Sequence, residues 1–325
     1  MQKILNRRDA IRSGGSLIMA GGLTACSQQS SKMVPATETA TSNLLPLEFD
    51  NPRWNRDMIV KIQGNTISEK EKYGWYGGRV MGVRPGEVDK YLFDFEGFSV
   101  ARMLPLGDGN YRKVLREVGF YLDKDTGQIL ETYKNPYSGE RVNVVPIAND
   151  PFNFTYTEYY PAPPRYGGLN TKRPPKRPYL LNWRDFGERV LMYRDINLYY
   201  PSALQPDEWP RESPGRMTRV SEMFSYNFSK AQLQDPNLTS IEHMGVWNRI
   251  TPWLPWMLMD QGPGHCVYVC DFSGRNDWRG IPQKIIDAAR AIDPKYLEAP
   301  TEDYGPNLSS LENYKLTETP AAPVK

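Results

Sequence analysis

The chain has 325 residues, with 40 Lys and Arg against 38 Asp and Glu, a formal net charge of +2 at pH 7, two histidines and three cysteines. That balance excludes the strong basic excess of a nucleic-acid-binding protein. So few His and Cys leave a His-rich zinc, copper or iron site without ligands, a mixed His/carboxylate site staying open, and no metal is expected. The length is ample for one large or two small domains with a real core.

Residues 1–26 read as an export leader. Lys3, Arg7, Arg8 and Arg12 form a basic start, a small-residue apolar stretch covers 16–25, and Leu23-Thr24-Ala25-Cys26 makes a lipobox. The Arg7-Arg8 pair points to the twin-arginine route, and Cys26 is the expected lipidation site. The competing reading, a buried helix, is disfavoured by Gly14, Gly15, Gly21 and Gly22. The stretch is also shorter than the ~20 apolar residues of a spanning helix. The expected location is periplasmic and lipid-anchored, with Ser27 after the cysteine leaning toward the outer membrane. Without the leader, 36 basic and 37 acidic side chains remain. So do Cys266 and Cys270, which in one strand stand ~13 Å apart, too far for a mutual disulfide. They are expected to be buried free thiols.

A Ser/Thr/Ala-rich tether follows at 27–45. Residues 46–300 form a single β-rich domain. Residues 91–103 (YLFDFEGFSVARM) alternate as a strand; 116–121 and 128–133 flank an Asp123–Gly127 turn; and Asn135-Pro136-Tyr137-Ser138-Gly139 turns into 141–147. Asn149-Asp150-Pro151 reads first as a turn, with Asp150 also a candidate carboxylate at a barrel rim. Residues 152–160 alternate again. Residues 161–178, with six prolines and five basic residues, are a linker or a lid. The β pattern resumes at 179–183, 189–200, 221–228, 240–247 and 266–272. A helix is expected after Pro282, where Ile285, Ile286, Ala289 and Ile292 recur at helical spacing. Residues 301–325 look like an extended tail. The expected fold is mainly β, an antiparallel barrel-like, lipocalin-like domain with few helices and one near the C-terminus.

There is no dinucleotide fingerprint, P-loop, G-x-S-x-G elbow or CxxC pair. No cofactor is expected, and acid–base work by ordinary side chains is the chemistry left. The densest segment, 242–257, holds Trp247, Trp253 and Trp256 between prolines, with Arg249 among them. Such rings line an aromatic-binding cavity, or plug a barrel end. His243 shares a strand face with Trp247, so it is a candidate acid or base, although a satisfied core histidine is the commoner outcome. His265, in a Gly-Pro-Gly turn, reads as a loop residue. Glu222 and Tyr226 lie on one face of another strand and are candidate catalysts, with Arg219 beside Glu222 a substrate contact or a solvated partner. Arg102, a charge in an aromatic strand, needs a partner. Tyr193, one of 20 tyrosines, and Asn149 complete the candidate substrate contacts.

Several of these segments resemble domain-of-unknown-function family 1838. The matching residues are Phe93-Asp94-Phe95-Glu96-Gly97, Tyr121-Leu122-Asp123 with Thr126-Gly127, Asn135 to Glu140, Asn149-Asp150-Pro151, Arg219-Val220-Ser221-Glu222 and Trp247 to Met259. The likeness covers about residues 55–300, and it carries no activity with it. At Gly274-Arg275-Asn276-Asp277-Trp278 the chain departs from the resemblance, which bears on the mouth of any pocket.

Two functions fit these residues. The first is a cofactor-independent acid–base lyase acting outside the cytoplasm on an aromatic small molecule, of the kind of a lignin-derived phenylpropanoid dimer cleaved in a retro-aldol-like step. The alternative is a non-catalytic, lipocalin-like binding protein for an apolar or aromatic ligand. Both have a small-molecule partner, no nucleic acid, and membrane contact through the lipid alone. The oligomeric state is not readable from the sequence.

Overall fold

A computed structural model describes residues 44–161, 175–303 and 305–322. The leader with Cys26, the tether up to residue 43 and most of the proline-rich segment lie outside the described residues. Eleven strands and four helices follow one another in the chain. They are α1 (Pro52–Gln63), β1 (Lys72–Val83), β2 (Lys90–Gly107), β3 (Asn110–Leu122), β4 (Thr132–Lys134), β5 (Arg141–Asn143), β6 (Ile147–Tyr156), β7 (Asn182–Phe186), β8 (Arg189–Pro201), β9 (Met217–Ser229), α2 (Lys230–Gln234), β10 (His243–Thr251), β11 (His265–Arg275), α3 (Gln283–Ile292) and α4 (Ser310–Thr317). Among the described residues no helix is long and apolar enough to cross a membrane.

Nine strands make one antiparallel sheet in the order β6-β3-β2-β1-β11-β10-β9-β8-β7, while β4 and β5 pair separately. The sheet curls into a half-barrel, so the expected mainly-β, barrel-like fold with a helix near the C-terminus is the observed one. Among the described residues no ladder joins the edge strands β6 and β7. Just beyond β6 and before β7, a single bridge pairs Tyr159 with Pro178. It is flanked by Tyr160 N–H donating to the Arg177 carbonyl and Tyr179 N–H to that of Glu158, both at 2.9 Å.

The alternation of each strand sends one set of side chains to the concave face and the other to the convex face. The convex side of β2 and β3 buries Phe98, Val100, Val118, Phe120 and Leu122 under Ile285, Ile286 and Ala289 of α3. The concave side carries the larger core, in which Met58, Ile59, Val60 and Ile62 of α1 pack with Phe93, Phe95, Tyr121, Trp247 and Tyr268. Asn51 caps α1 by accepting from Arg53 N–H, and Pro52 opens its first turn. Cys266 and Cys270 are buried free thiols, as expected.

Four details differ from expectation. β1 was not read as a strand, because Gly74, Gly77, Gly78 and Gly82 dilute its alternation. Helix α1 was also missed. Asn149-Asp150-Pro151 lies inside β6, not in a turn; the β3–β6 register shifts between Leu115 and Glu117 opposite it. The expected extended tail carries α4, set by a capping box between Ser309 and Glu312. The helix is tied down by Asn313 Nδ2 donating to Asn149 Oδ1 at 2.9 Å and by Tyr314 packed on Trp209.

Glycine at 97 is forced by close approach. It pairs with Gly119 on one side and Tyr76 on the other. A Cβ on Gly97 would stand 2.2 Å from the Val118 carbonyl oxygen and 2.6 Å from the Tyr76 ring. Tyr76 lies in this space, and its hydroxyl donates to the Val118 carbonyl at 2.8 Å. Gly97→Ala is therefore expected to cost about 2 kcal/mol or more in a urea melt, in line with overpacking of a filled interior; an unchanged midpoint would contradict the packing described.

Candidate functional site

Register fixes which side chains meet on the concave face. On β10, His243, Trp247 and Arg249 share one parity; the ladder to β9 sets Trp247 opposite Phe224 and Arg249 opposite Glu222. The next ladder sets Phe224 opposite Arg194 and Tyr226 opposite Met192. At the other edge, Ser99 of β2 faces Glu117 of β3, and Glu117 faces Asn149 of β6. All of these except Met192 line a cavity of about 1720 Å³ together with Lys72, Tyr76, Lys113, Tyr156 and Phe272. Its walls are mostly apolar, with aromatic rings among them. Phe224 stacks on Trp247 with centroids 6.2 Å apart at 17°, and Tyr76 meets Trp247 edge-on at 6.0 Å. Exposed Asp108, Tyr159, Lys176 and Arg177 form part of the rim.

Charge is built into this apolar interior, and each group's surroundings set its state. Arg249 Nη1 lies 3.2 Å from Glu222 Oε1. Burial works against the guanidinium's charge, but Glu222 and the nearby phenols outweigh it and hold Arg249 firmly protonated. Burial raises the Glu117 carboxyl; the Asn149 Nδ2 hydrogen bond at 2.5 Å opposes this and the charge of Glu222 across the interior adds to it. Lys113 Nζ donates to Gln63 Oε1 at 2.8 Å, and Gln63 Nε2 donates to the Tyr226 hydroxyl at 3.0 Å. Burial, with the positive charge of Arg194 nearby, brings the Lys113 amine down to about 7. Lys72, donating to Ser240 Oγ at 2.9 Å and the Ile241 carbonyl at 3.0 Å, is brought by burial to about 7 as well.

His243 is a special case. Its Nδ1 lies 3.2 Å from the Ile241 carbonyl, which can only accept, so Nδ1 carries the proton. The ring is enclosed by Tyr226, Phe228 and Phe272. Burial and the charge of Lys72 lower its pKa to about 3. The imidazole is thus neutral near pH 7 and a weak base.

The family described as protein of unknown function (DUF1838) matches residues 69–317. The chain belongs to this family. No curated protein matches it. The family match spans every strand, so all of the cavity wall except what α1 contributes is family-defined.

Within that family frame, the structure brings together six of the residues singled out from sequence. His243, Glu222, Tyr226, Trp247, Arg249 and Asn149 all line the large cavity. Trp253 and Trp256 instead line a second cavity of about 350 Å³, which Arg249, Asn149 and Tyr200 share with the first. Trp256 plugs the half-barrel against Phe93, Tyr121 and Tyr133. Asp150 borders that second cavity, held by Arg116 at 3.0 Å and Lys295 at 3.2 Å.

Three other candidates point away from the cavity. Arg102 lies outside it and finds its expected partner in Glu71 at 3.0 Å, with Nη1 on the Ser68 carbonyl at 2.9 Å. Arg219 is exposed on the opposite parity from Glu222, and Tyr193 on the opposite parity from Arg194. The 274–278 stretch touches the cavity only through Gly274, since Trp278 packs on Tyr73 and Phe98 beneath the convex face. Sequence reasoning missed Lys72, Lys113, Glu117 and Arg194. The signal for Arg194 was its parity, shared with Val190, Met192, Ile196, Leu198 and Tyr200. Lys113 and Glu117 stand in phase with Tyr121.

Among the described residues, no three His, Cys, Asp or Glu side chains cluster so as to hold a metal ion. The Glu222–Arg249 pair is the structural hinge of the charge pattern. A double-mutant cycle of Glu222→Gln and Arg249→Met is expected to show a coupling of about 1–3 kcal/mol by chemical denaturation; additive losses would show that the pair does not interact.

Proposed function

We propose that the large cavity is an active site for cofactor-independent acid–base chemistry of the lyase type on an aromatic small molecule. The observation that carries this reading is the pair on β3. Lys113 and Glu117 stand four residues apart on one face, inside an aromatic wall, and burial shifts their proton affinities toward neutrality from opposite sides. Groups so displaced are what a general base and a general acid need near pH 7.

A retro-aldol-type cleavage uses both. A base takes the proton of a hydroxyl, the adjacent carbon–carbon bond breaks as the carbonyl forms, and the electron pair left on the departing carbon takes a proton from an acid. Neutral Lys113 is the base in this reading and protonated Glu117 the acid. Tyr226 and the Glu222–Arg249 pair contact the polar groups of the substrate, and Trp247 and Phe224 hold its ring. His243 supports the wall as a neutral side chain, because a base with a pKa of about 3 is too weak for the task. The same proposal sets the reaction outside the cytoplasm, in the periplasm, on a chain exported by the Arg7-Arg8 leader and anchored through Cys26. That part rests on the sequence of residues 1–26 alone, and no nucleic-acid partner is involved.

The test is turnover of phenylpropanoid dimers bearing a β-hydroxyl, followed by release of the carbonyl product. Lys113→Met and Glu117→Gln are each expected to lower kcat at least 100-fold while ligand affinity changes little. Because the base is active only when neutral, kcat/KM should rise with pH through about 7, and Lys113→Met should lose that rise. Tight binding with no product for any such compound would replace catalysis with carriage, the lipocalin-like alternative.

A further inference from the structure

Charge inside the cavity is unevenly matched. Arg249 has Glu222 and Lys72 has a set of neutral acceptors, but Arg194 has no carboxylate within ion-pair reach among the described residues. Its neighbours are the neutral phenols of Tyr156, Tyr179 and Tyr226, and it hydrogen-bonds to those of Tyr156 and Tyr226. A guanidinium removed from water without an anionic partner is costly unless something else meets its donors. Tyr226 faces the same need. Its oxygen already accepts from Gln63 Nε2 and from Arg194, and no described side chain accepts its hydroxyl proton. Two further buried donors, Trp247 Nε1 and Arg249 Nε, have no partner among the described residues. They sit two residues apart on the same face of β10, in the same cavity wall.

We propose that Arg194 is a binding site for a carboxylate carried by the aromatic molecule that the cavity holds, with the Tyr226 hydroxyl as a second donor to it. The planar fork of a guanidinium matches two carboxylate oxygens, which a lone phenol oxygen does not. The unpartnered donors of Trp247 and Arg249 then receive a second oxygen of the same molecule, an ether, hydroxyl or carbonyl beyond the ring. Lys176 and Arg177 on the rim add a positive approach for an anion. The substrate class is therefore an aromatic carboxylic acid with a second oxygen function. This rests on the reading of the cavity as an aromatic small-molecule site.

The experiment compares 4-hydroxycinnamate with the matched neutral 4-hydroxycinnamyl alcohol, by titration calorimetry at pH 7.5, on the wild-type chain and on Arg194→Met and Arg194→Lys. Wild type is expected to bind the acid at least tenfold more tightly than the alcohol. Arg194→Met should abolish that preference while keeping its affinity for the alcohol, and Arg194→Lys should restore part of it. A thermal melt of each variant checks that it is folded; should Arg194→Met not fold, the acid-over-alcohol ratio in Arg194→Lys falling below the wild-type ratio serves in its place. Equal affinity of wild type for acid and alcohol, or a preference that survives both substitutions, would overturn the anchor and leave the aromatic cavity standing. Binding of neither compound to wild type would overturn both.

Discussion

A charged side chain taken out of water loses hydration worth several kcal/mol unless protein groups replace it. Six such side chains, Lys72, Lys113, Glu117, Arg194, Glu222 and Arg249, project from β1, β3, β8, β9 and β10 into one cavity. The curl of the sheet is what imposes this cost. β3 and β8 are far apart in strand order, yet the charge of Arg194 is felt at Lys113, and that of Glu222 at Glu117. The replacements for water are specific. Arg249 receives Glu222, Glu117 receives Asn149, Lys113 receives Gln63, and Lys72 receives Ser240 and the Ile241 carbonyl. What offsets the remaining cost is the aromatic and aliphatic burial on the same concave face and under α3.

This arrangement ties fold to chemistry through a single variable, strand parity. The same alternation that buries Phe93, Phe95 and Tyr121 delivers Lys113 and Glu117 into the interior. It leaves Lys113 with an amine near neutrality and Glu117 with a raised carboxyl. Gln63, from α1, is a link supplied from outside the sheet. It accepts from Lys113 and donates to Tyr226, and so connects the two sides of the cavity. This chain, whose family description names no function, thus carries a cavity with defined electrostatics, and function has to be argued from that cavity and not from the barrel-like frame.

Much of the frame was legible because period-two alternation survives in a single sequence. Strands β2, β8, β9, β10 and β11 and helix α3 all show it or its helical counterpart. β1 was not legible, since the glycines that let Tyr76 and its neighbours pack closely also remove the apolar beats. The end of the chain misled through its prolines, although Ser309-Ser310-Leu311-Glu312 spells the capping box that starts α4. Within the site, Trp247, Arg249, Glu222, Tyr226 and His243 were found because they sit in conspicuous segments. Arg194 was passed over for Tyr193, one residue away and on the wrong face. Lys113 and Glu117 were hidden because charge on a strand reads as solvent exposure until the curl shows which face is inside. The state of His243 was not legible either, since it depends first on burial and then on Lys72, which lies far away in sequence.

The central claim is that the curled sheet desolvates these charges enough to move their proton affinities, and Lys113 reports it most directly. Its side-chain titration can be followed by NMR on selectively labelled lysine, with the resonance assigned by its loss in Lys113→Met. The account expects a midpoint at about 7, against an ordinary lysine value of 10.5. A midpoint near 10.5 would mean that water reaches the amine and that the cavity is not the low-dielectric site described.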